Sequence, residues 1–131
     1  MAYYEGETLE KRIKEKPLSI EQTINIAMQI CEGLNVAHES DIIHRDVKPA
    51  NIMIKQNGDI LLSDFGIART VDPELETTAR TGAGQVLGTL PYMSPEQVRG
   101  EIRNIDRRTD IYALGATLYE AVTLERPFRA P

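Results

Sequence analysis

Apolar residues recur at helical spacing in the first third of the chain. Ser19 and Gln22 make the Ser-x-x-Gln pattern of a capping box, which is typical of a helix start. The pattern predicts a helix from Ile20 to about Glu39 with one apolar face. That predicted core face consists of Ile20, Ile24, Ala27, Met28, Cys31 and Leu34. Cys31 is therefore expected to be a small core residue, and His38 to have a packing or capping role.

Three further helices are indicated by caps and by spacing. A short charged helix is predicted over Glu7–Lys14, and it must end before Pro17. Ser94 is predicted to cap a short helix that starts at the following proline. Thr109 is predicted to cap a helix over Asp110–Thr123, which is apolar nearly all round and is therefore expected in the middle of a core. Its apolar residues are Ile111, Tyr112, Ala113, Leu114, Ala116, Leu118, Ala121 and Val122.

The middle of the chain changes from helical spacing to a hairpin pattern. Two short β-type runs, Ile52–Ile54 and Ile60–Leu62, flank Asn57 and Gly58. Asn-Gly between two such runs is a strong short-range turn signal, so the pattern predicts a β-hairpin. From Thr70 to about Thr89 the periodicity is lost, and a loop of this length is usually functional or mobile.

Charged and polar residues lie at both ends of the predicted hairpin. A charged loop that contains Asp46, Lys48 and Asn51 precedes it, and an acidic turn that begins with Asp64 follows it. The hairpin is therefore expected to bring Asp46, Asn51 and Asp64 close together. Magnesium prefers hard oxygen ligands, and substrate phosphates usually complete its shell. Two carboxylates, an amide and a lysine at one strand end thus suit a magnesium and phosphate site.

Composition excludes several classes of protein. The 131 residues are one domain or a piece of one, and the net charge of −5 argues against a dedicated nucleic-acid binder. The single cysteine excludes a disulfide within the chain, so a cytoplasmic location is the simplest expectation. The sequence contains no apolar run of the roughly 20 residues that a membrane span needs.

Three ordered motifs resemble the signature of the protein kinase family. They are His44-Arg45-Asp46-Val47-Lys48-Pro49-Ala50-Asn51, then Asp64-Phe65-Gly66, then Ser94-Pro95-Glu96. Val47 and Ser94 are mild departures, because the family pattern has leucine and alanine there. Lys48 after the aspartate is similar to serine/threonine kinases rather than to tyrosine kinases. The run 88–97 resembles the bacterial, eukaryotic-like serine/threonine kinases, and the run 110–115 resembles the start of their central large-lobe helix.

The resemblance implies a set of roles for phosphoryl transfer. Asp46 would orient the substrate hydroxyl and accept its proton, and Lys48 would lie against the transferred phosphate. Asn51 and Asp64 would hold Mg²⁺. Thr89 would contact the Asp46–Lys48 pair and help to recognise a serine or threonine substrate.

The resemblance also implies nucleotide contacts and a control element. Backbone groups of Ala2 and Tyr4 would meet the adenine of ATP, and Met53 would lie beneath it. Arg45 beside the catalytic aspartate suggests control by phosphorylation of the loop, because a phosphothreonine can order a loop by pairing with arginine. The candidate acceptors are Thr81, then Thr77 and Thr78, and the alternative is that these threonines are only turn residues. The resemblance further places His44 and Phe65 among packed residues and gives Asp110 the role of anchoring the catalytic loop.

The resemblance predicts an incomplete α+β fold, the mainly helical large lobe of a kinase with short β-hairpins. The expected parts are a hinge (1–6), a helical segment (7–40), a catalytic loop and magnesium-binding hairpin (42–66), an activation segment (64–96) and a central helix (110–123). A glycine-rich phosphate loop and the rest of the small lobe are expected to be missing. The chain is therefore either a fragment of an active serine/threonine kinase or a non-catalytic truncated kinase that binds partners. A sequencing or gene-prediction fragment is a third, weaker alternative.

Overall fold

The computed structural model describes residues 6–63 and 89–128. The elements, in chain order, are β1 (Gly6–Thr8), α1 (Leu9–Glu15), α2 (Ile20–Glu39), β2 (Ile52–Lys55), β3 (Ile60–Leu62), α3 (Pro95–Val98) and α4 (Arg107–Thr123). Single turns of 3₁₀ helix cover Pro49–Asn51, Leu90–Tyr92 and Ile102–Asn104. Helices and one antiparallel sheet together confirm the predicted α+β class.

The three strands form one antiparallel sheet in the order β1-β2-β3. The predicted hairpin is present, and Gly58 in its turn has a φ of 92°, a conformation that glycine adopts without strain. β1 replaces the start of the helix predicted over Glu7–Lys14, so that α1 begins only at Leu9. Gly6 is needed for this pairing, because a Cβ at Gly6 would lie 2.2 Å from the carbonyl oxygen of Ile54.

Helix α2 has the predicted bounds and the predicted capping box, but it buries a different face. The side chains that it buries are those of Ile26, Ile30, Leu34 and Ala37. Of the predicted core face only Leu34 is fully buried, whereas Ile20 is 76% exposed and Cys31 is exposed. The prediction was wrong because α2 carries two apolar stripes. The stripe that faces the sheet and α4 is the buried one, and helical spacing alone does not distinguish the two.

Helices α2 and α4 run in opposite directions along each other. The Leu18 N–H, just before α2, donates to the carbonyl of Ala121 near the end of α4 at 3.0 Å. At the other end of the pair, His38 Nε2 lies 2.8 Å from Asp110 Oδ2. His38 therefore ties α2 to α4 near the end of its helix.

Helix α4 begins earlier than predicted and is buried on one side only. Asp106, and not Thr109, is its N-cap, and its side chain accepts the Arg108 N–H at 2.9 Å. Small residues, Ala113, Ala116 and Ala121, dominate the buried side and allow neighbouring elements to approach closely. Ile111 and Val122 are exposed, so the prediction of burial all round was wrong for the residues that the structure describes.

Among the described residues, an apolar cluster lies between the helix pair, α1 and the sheet. Val47, within the charged loop, and Ile52, directly after it, are both fully buried in it. The loop between α2 and β2 is thus fixed to the core at two points. Over the described ranges 6–63 and 89–128, no helix is long and apolar enough to span a bilayer.

Candidate active site

The loop between α2 and β2 is anchored by one buried carboxylate. Asp110 accepts the backbone N–H of His44 at 2.9 Å and that of Arg45 at 2.8 Å, and its exposure is nil. Arg45 has a φ of 73°, a left-handed conformation that costs energy for a residue other than glycine. The two bonds to Asp110 compensate for this strain. The anchoring contact predicted for Asp110 is therefore confirmed.

His44 is fully buried and makes two hydrogen bonds that sequence reasoning did not foresee. Its Nδ1 accepts the Asp46 N–H at 3.0 Å, so the proton must be on Nε2, which donates to the Ser63 carbonyl at 2.7 Å. This assignment follows from the donors and acceptors around the ring. The neutral imidazole thereby connects Asp46 to Ser63, which directly precedes Asp64 in the chain.

Asp46 and Asn51 are brought together as predicted. Asn51 Nδ2 donates to the Asp46 carbonyl at 2.8 Å and to Asp46 Oδ2 at 3.1 Å, and both residues are buried. The Asn51 carbonyl in turn accepts the N–H and the hydroxyl of Ser63, at 2.8 Å and 3.1 Å. Because the amide nitrogen is committed to Asp46, Oδ1 is the Asn51 side-chain atom left to bind a cation.

Lys48 and Thr89 complete a four-residue group around the same carboxylate. Lys48 Nζ donates to Thr89 Oγ1 at 2.8 Å and lies 3.7 Å from Asp46 Oδ2. The Thr89 hydroxyl donates to Asp46 Oδ1 at 3.2 Å. The predicted contact of Thr89 with the Asp46–Lys48 pair is present. Asp46, Lys48, Asn51 and Thr89 are hereafter the Asp46 cluster.

Several predicted site residues cannot be placed in this geometry. Asp64, Phe65, Ala2, Tyr4, Thr77, Thr78 and Thr81 lie outside the described residues. Met53 lies in β2, partly buried, between Thr8 of β1 and Leu61 of β3. The structure therefore assembles the Asp46 cluster, and the catalytic and binding roles assigned to its residues and to the others stay predictions.

The donor atoms of the Asp46 cluster suit Mg²⁺ better than a transition metal. Within residues 6–63 and 89–128 no three His, Cys, Asp or Glu side chains are grouped as a metal site. Magnesium is commonly held by one or two carboxylates with phosphate oxygens and water in the remaining positions. Asn51 Oδ1 is a hard oxygen atom of that kind, and the Asp46 carboxylate is already engaged by Asn51 Nδ2 and the Thr89 hydroxyl, so among the described residues Asn51 is the one that fits this ion.

A second layer of contacts joins the loop to α3, and sequence reasoning missed it. Gln97 is buried, and its Nε2 donates to the Arg45 carbonyl at 2.9 Å, while its Oε1 accepts the Ser94 N–H at 3.0 Å. Ser94 and Gln97 form a capping box, the same pattern that identified the start of α2. The Ser-x-x-Gln spacing was therefore the signal that could have pointed to Gln97.

Glu96 connects α3 to the start of α4. The Thr109 hydroxyl donates to Glu96 Oε1 at 2.9 Å. Partial burial disfavours the charged carboxylate, but hydrogen bonds from its own backbone and from the Thr109 and Ser94 hydroxyls hold the pKa of Glu96 below its ordinary value. The ionised form of Glu96 is therefore the one that fits this junction.

A cleft of about 490 Å³ lies next to the Asp46 cluster and has Lys48 in its wall. Tyr92 lines it and donates its hydroxyl to both Glu120 oxygens, at 2.8 Å and 2.7 Å. Burial first, and the Glu120 carboxylate second, raise the pKa of Tyr92 well above its ordinary value. Tyr92 is thus a neutral donor at any physiological pH. Neither Tyr92 nor Glu120 was singled out from the sequence.

Comparison with known proteins shows which family the chain resembles. The model of the protein kinase domain family matches residues 1–131. Serine/threonine-protein kinase PknB of Mycobacterium leprae is 44% identical over 129 residues, which are 98% of this chain and 20% of that protein. PknB of Mycolicibacterium smegmatis is 45% identical over the same shares. A probable serine/threonine-protein kinase PknB of Corynebacterium glutamicum is 50% identical over 107 residues, 82% of this chain and 16% of that protein. The chain spans about a fifth of the length of these relatives.

Proposed function

The chain belongs to the protein kinase domain family, and from this premise we propose that it supplies the catalytic loop of a serine/threonine kinase. The reaction would be transfer of the γ-phosphoryl group of ATP to serine or threonine hydroxyls of proteins. The observation that carries the proposal is the Asp46 cluster, in which an amide, a hydroxyl and an ammonium group surround one buried carboxylate. All of the relatives named above are serine/threonine kinases by name.

Asp46 is proposed to orient the acceptor hydroxyl and to take its proton. Its carboxylate is held on one side by Asn51 Nδ2 and on the other by the Thr89 hydroxyl, so its direction is fixed before a substrate binds. Phosphoryl transfer needs positioning and charge neutralisation more than covalent chemistry, and a fixed carboxylate supplies the positioning.

Lys48 and Thr89 are proposed to recognise the two reacting groups. The Lys48 ammonium is a compact point charge on a flexible stem, which suits a phosphate oxygen. Its bond to Thr89 aims it at the same side of the loop as the Asp46 carboxylate. The Thr89 hydroxyl is hydrogen-bonded to both charged groups. It would therefore contact a serine or threonine side chain placed between them.

Mg²⁺ and ATP are the proposed cofactors. Asn51 would hold the ion through Oδ1, together with Asp64, which follows the anchored Ser63. Bound magnesium neutralises charge on the phosphates during transfer. Backbone groups of Ala2 and Tyr4 and the side chain of Met53 are the proposed contacts of the adenine. A loop threonine, Thr81 before Thr77 and Thr78, is the proposed phosphorylation site that Arg45 would bind.

Partners and location are proposed from the same premise. The substrates would be proteins with an accessible serine or threonine, in the cytoplasm. The net charge of −5 is the reason to expect no nucleic acid among the ligands.

The second candidate function is a non-catalytic module that binds other proteins. The exposed apolar residues of α2, Ile20, Ile24 and Met28, favour it, because a row of such residues is typical of an interaction surface.

An exchange of segments tests the proposal. The 131 residues would replace the matching 129-residue segment of the M. smegmatis relative, and transfer of labelled phosphate from Mg-ATP to a serine peptide would be measured. The hybrid is expected to be active, and Asp46→Asn is expected to lower its rate about 10²–10⁴-fold, the usual contribution of a general base. Asp59→Asn, in the exposed turn of the hairpin, is the matched control. An inactive but folded hybrid, or equal rates for Asp46→Asn and the control, would contradict the proposal.

The 131 residues alone are proposed to be inactive toward ATP. Their sequence contains no glycine-rich phosphate loop, so half of the nucleotide clamp of the family is not encoded in it. The same phosphate-transfer measurement on the unfused chain separates this proposal from the first one. Turnover that vanishes in Asp46→Asn would show that these residues suffice.

A further inference from the structure

The side chain of Gln97 joins two parts of the molecule that are 52 positions apart in the sequence. Its Oε1 accepts the Ser94 N–H at 3.0 Å within the capping box of α3, whereas its Nε2 donates to the Arg45 carbonyl at 2.9 Å. The orientation of the amide follows from its partners, because an N–H must meet an acceptor and a carbonyl oxygen must meet a donor. Gln97 is only 7% exposed, so bulk water does not compete for either bond.

The second bond explains why this position needs glutamine. Glutamate and glutamine both complete a capping box, because only the side-chain oxygen takes part in it. An ionised glutamate has no hydrogen to donate, and at position 97 it would place a carboxylate against the Arg45 carbonyl. Gln22 completes the capping box of α2 in the same way, with its Oε1 3.1 Å from the Ser19 nitrogen, but it is exposed. Helix capping therefore accounts for the Oε1 contact at both positions and leaves the Nε2 contact of Gln97 to be explained.

The peptide group between Arg45 and Asp46 is bound at both of its polar atoms. Gln97 binds its carbonyl, and Nδ1 of the His44 ring accepts its N–H at 3.0 Å. Arg45 has a left-handed φ of 73°, which is costly for a residue other than glycine, and its own N–H is held by Asp110 at 2.8 Å. The bond from Gln97 is thus one of three that hold a strained conformation. Because the Asp46 Cα directly follows this peptide group, the orientation of the peptide determines where the Asp46 side chain begins.

One segment of the chain, 89–98, holds Asp46 at two points. The Thr89 hydroxyl donates to the Asp46 carboxylate at 3.2 Å, and Gln97 holds the peptide group that precedes Asp46. The 3₁₀ turn Leu90–Tyr92 and the capping box of α3 lie between the two contacts. A general base must be held in a productive geometry, and the two contacts fix the carboxylate and its backbone together.

We propose that Gln97 is a positioning residue for Asp46, which holds the Arg45 carbonyl and thereby directs the Asp46 carboxylate toward the acceptor hydroxyl. A glutamine that only capped α3 would serve the fold alone, whereas this bond makes the geometry of Asp46 depend on the position of α3. The inference rests on the proposed function, because it takes Asp46 as the group that receives the proton of the hydroxyl.

Steady-state kinetics of the hybrid kinase test the inference, with kcat and the KM of the serine peptide measured at slightly alkaline pH. Gln97→Glu is expected to lower kcat at least about tenfold with little change in KM, since misplacement by about 1 Å costs on the order of 10² in rate. Gln97→Met, which is similar in length and adds no charge, should show a comparable loss. Gln22→Glu is the matched control, because it makes the same chemical change at the same position of the α2 capping box, and it should leave both constants unchanged.

The pH profile separates positioning from a loss of folded protein. A protonated carboxyl at position 97 can again donate to the Arg45 carbonyl while its other oxygen accepts the Ser94 N–H. Because burial raises the pKa of a carboxyl, the ratio of kcat in Gln97→Glu to kcat in wild type should rise several-fold between about pH 8 and about pH 5.5. The corresponding ratio for Gln97→Met should stay constant, since methionine does not titrate.

Amide hydrogen exchange of the 131-residue chain, followed by NMR, measures the same contact without turnover. The Asp46 N–H should exchange at least about tenfold faster in Gln97→Glu than in wild type, whereas the Ile30 N–H within α2 should keep its rate. Wild-type kcat in Gln97→Met, an equal loss in Gln22→Glu, a change confined to KM, a ratio for Gln97→Glu that does not depend on pH, or unchanged exchange at Asp46 would overturn the inference.

The two measurements also separate this inference from the proposed function. Faster exchange at Asp46 in Gln97→Glu, together with an inactive hybrid, would refute only the proposed function. An active hybrid on which the Gln97 substitutions have no effect would refute only the inference.

Discussion

The loop between α2 and β2 and the outer face of α2 are held in opposite ways. In the loop the buried polar groups are hydrogen-bonded to one another, by contacts such as Asp110 with the His44 and Arg45 amides and Asn51 with Asp46. On α2 the apolar side chains Ile24 and Met28 are exposed, although neighbouring Ile26 and Ile30 are buried. The hydrogen bonds of the loop fix a single arrangement of its side chains, whereas the apolar spacing along α2 would allow either of its two apolar stripes to be buried. The conformation of the loop is therefore determined by its own residues, whereas the buried face of α2 is determined by what packs against it.

The largest effect is expected where the loop depends on a single group. Asp110→Ala would leave the His44 and Arg45 amides without their buried acceptor and His38 without its partner. Removal of one side of a buried charged network costs about 3–5 kcal/mol, so the free energy of unfolding should fall by that amount. Urea denaturation measures it. Asp59→Ala, in the exposed hairpin turn, should stay within about 0.5 kcal/mol of wild type.

An Asp110→Ala loss no larger than that of the control would mean that the loop is held by the apolar contacts of Val47 and Ile52 alone. The contrast between the two regions would then disappear, because packing and not polar pairing would specify both.

The same contrast explains which parts could be predicted from the sequence. The hairpin, the capping boxes at Ser19 and Ser94 and the Thr89 contact depend on residue types at short spacing or in a known motif, and these are present. The buried face of α2 depends on what packs against it. The Gln29 side chain accepts the Ile60 N–H at 2.9 Å, so this side of the helix faces the sheet. The two residues are 31 positions apart, and no local sequence pattern predicts their contact.

The start of α4 was misplaced for a related reason. Asp106 and Thr109 are both acceptable caps, and Asp106 is the observed one, while Thr109 is buried against Glu96 of α3. The cleft was missed because its walls come from α1, the loop between α2 and β2, and the end of α4 with the residues after it, which are distant in sequence. Tyr92 and Glu120 are 28 residues apart and belong to no common motif.

A matched pair of isoleucines tests which face of α2 carries the packing. Ile26 is 6% exposed and Ile24 is 54% exposed, one half-turn away on the same helix. Ile26→Ala should lower the free energy of unfolding by about 3 kcal/mol, since it removes buried methyl groups and leaves a cavity. Ile24→Ala should change it by less than about 0.5 kcal/mol. Both substitutions have the same helix propensity change, so urea denaturation of the two variants isolates burial. Equal losses would show that both stripes are packed in the folded chain.

The smallest effect is expected at Thr117, a buried polar residue that, unlike those of the loop, is unpaired within the described part of the chain. Thr117 of α4 is fully buried, and its hydroxyl has no hydrogen-bond partner among the described residues. Valine has nearly the same shape without the hydroxyl. Because an unpaired buried hydroxyl carries a desolvation penalty, Thr117→Val should raise the free energy of unfolding by about 1 kcal/mol.

Thr123→Val is the control for that substitution on the same helix. The Thr123 hydroxyl donates to the Tyr119 carbonyl at 2.8 Å and accepts the Glu125 N–H at 3.1 Å, so its loss should destabilise the chain by about 0.5–1 kcal/mol. If the free energy of unfolding rises in Thr117→Val and falls in Thr123→Val, polar groups stabilise this protein only where they are hydrogen-bonded. The same would then hold for α4 as for the loop. A lower free energy of unfolding in Thr117→Val would instead show that the Thr117 hydroxyl has a hydrogen-bond partner. The buried polar groups of α4 would then be paired like those of the loop that it anchors.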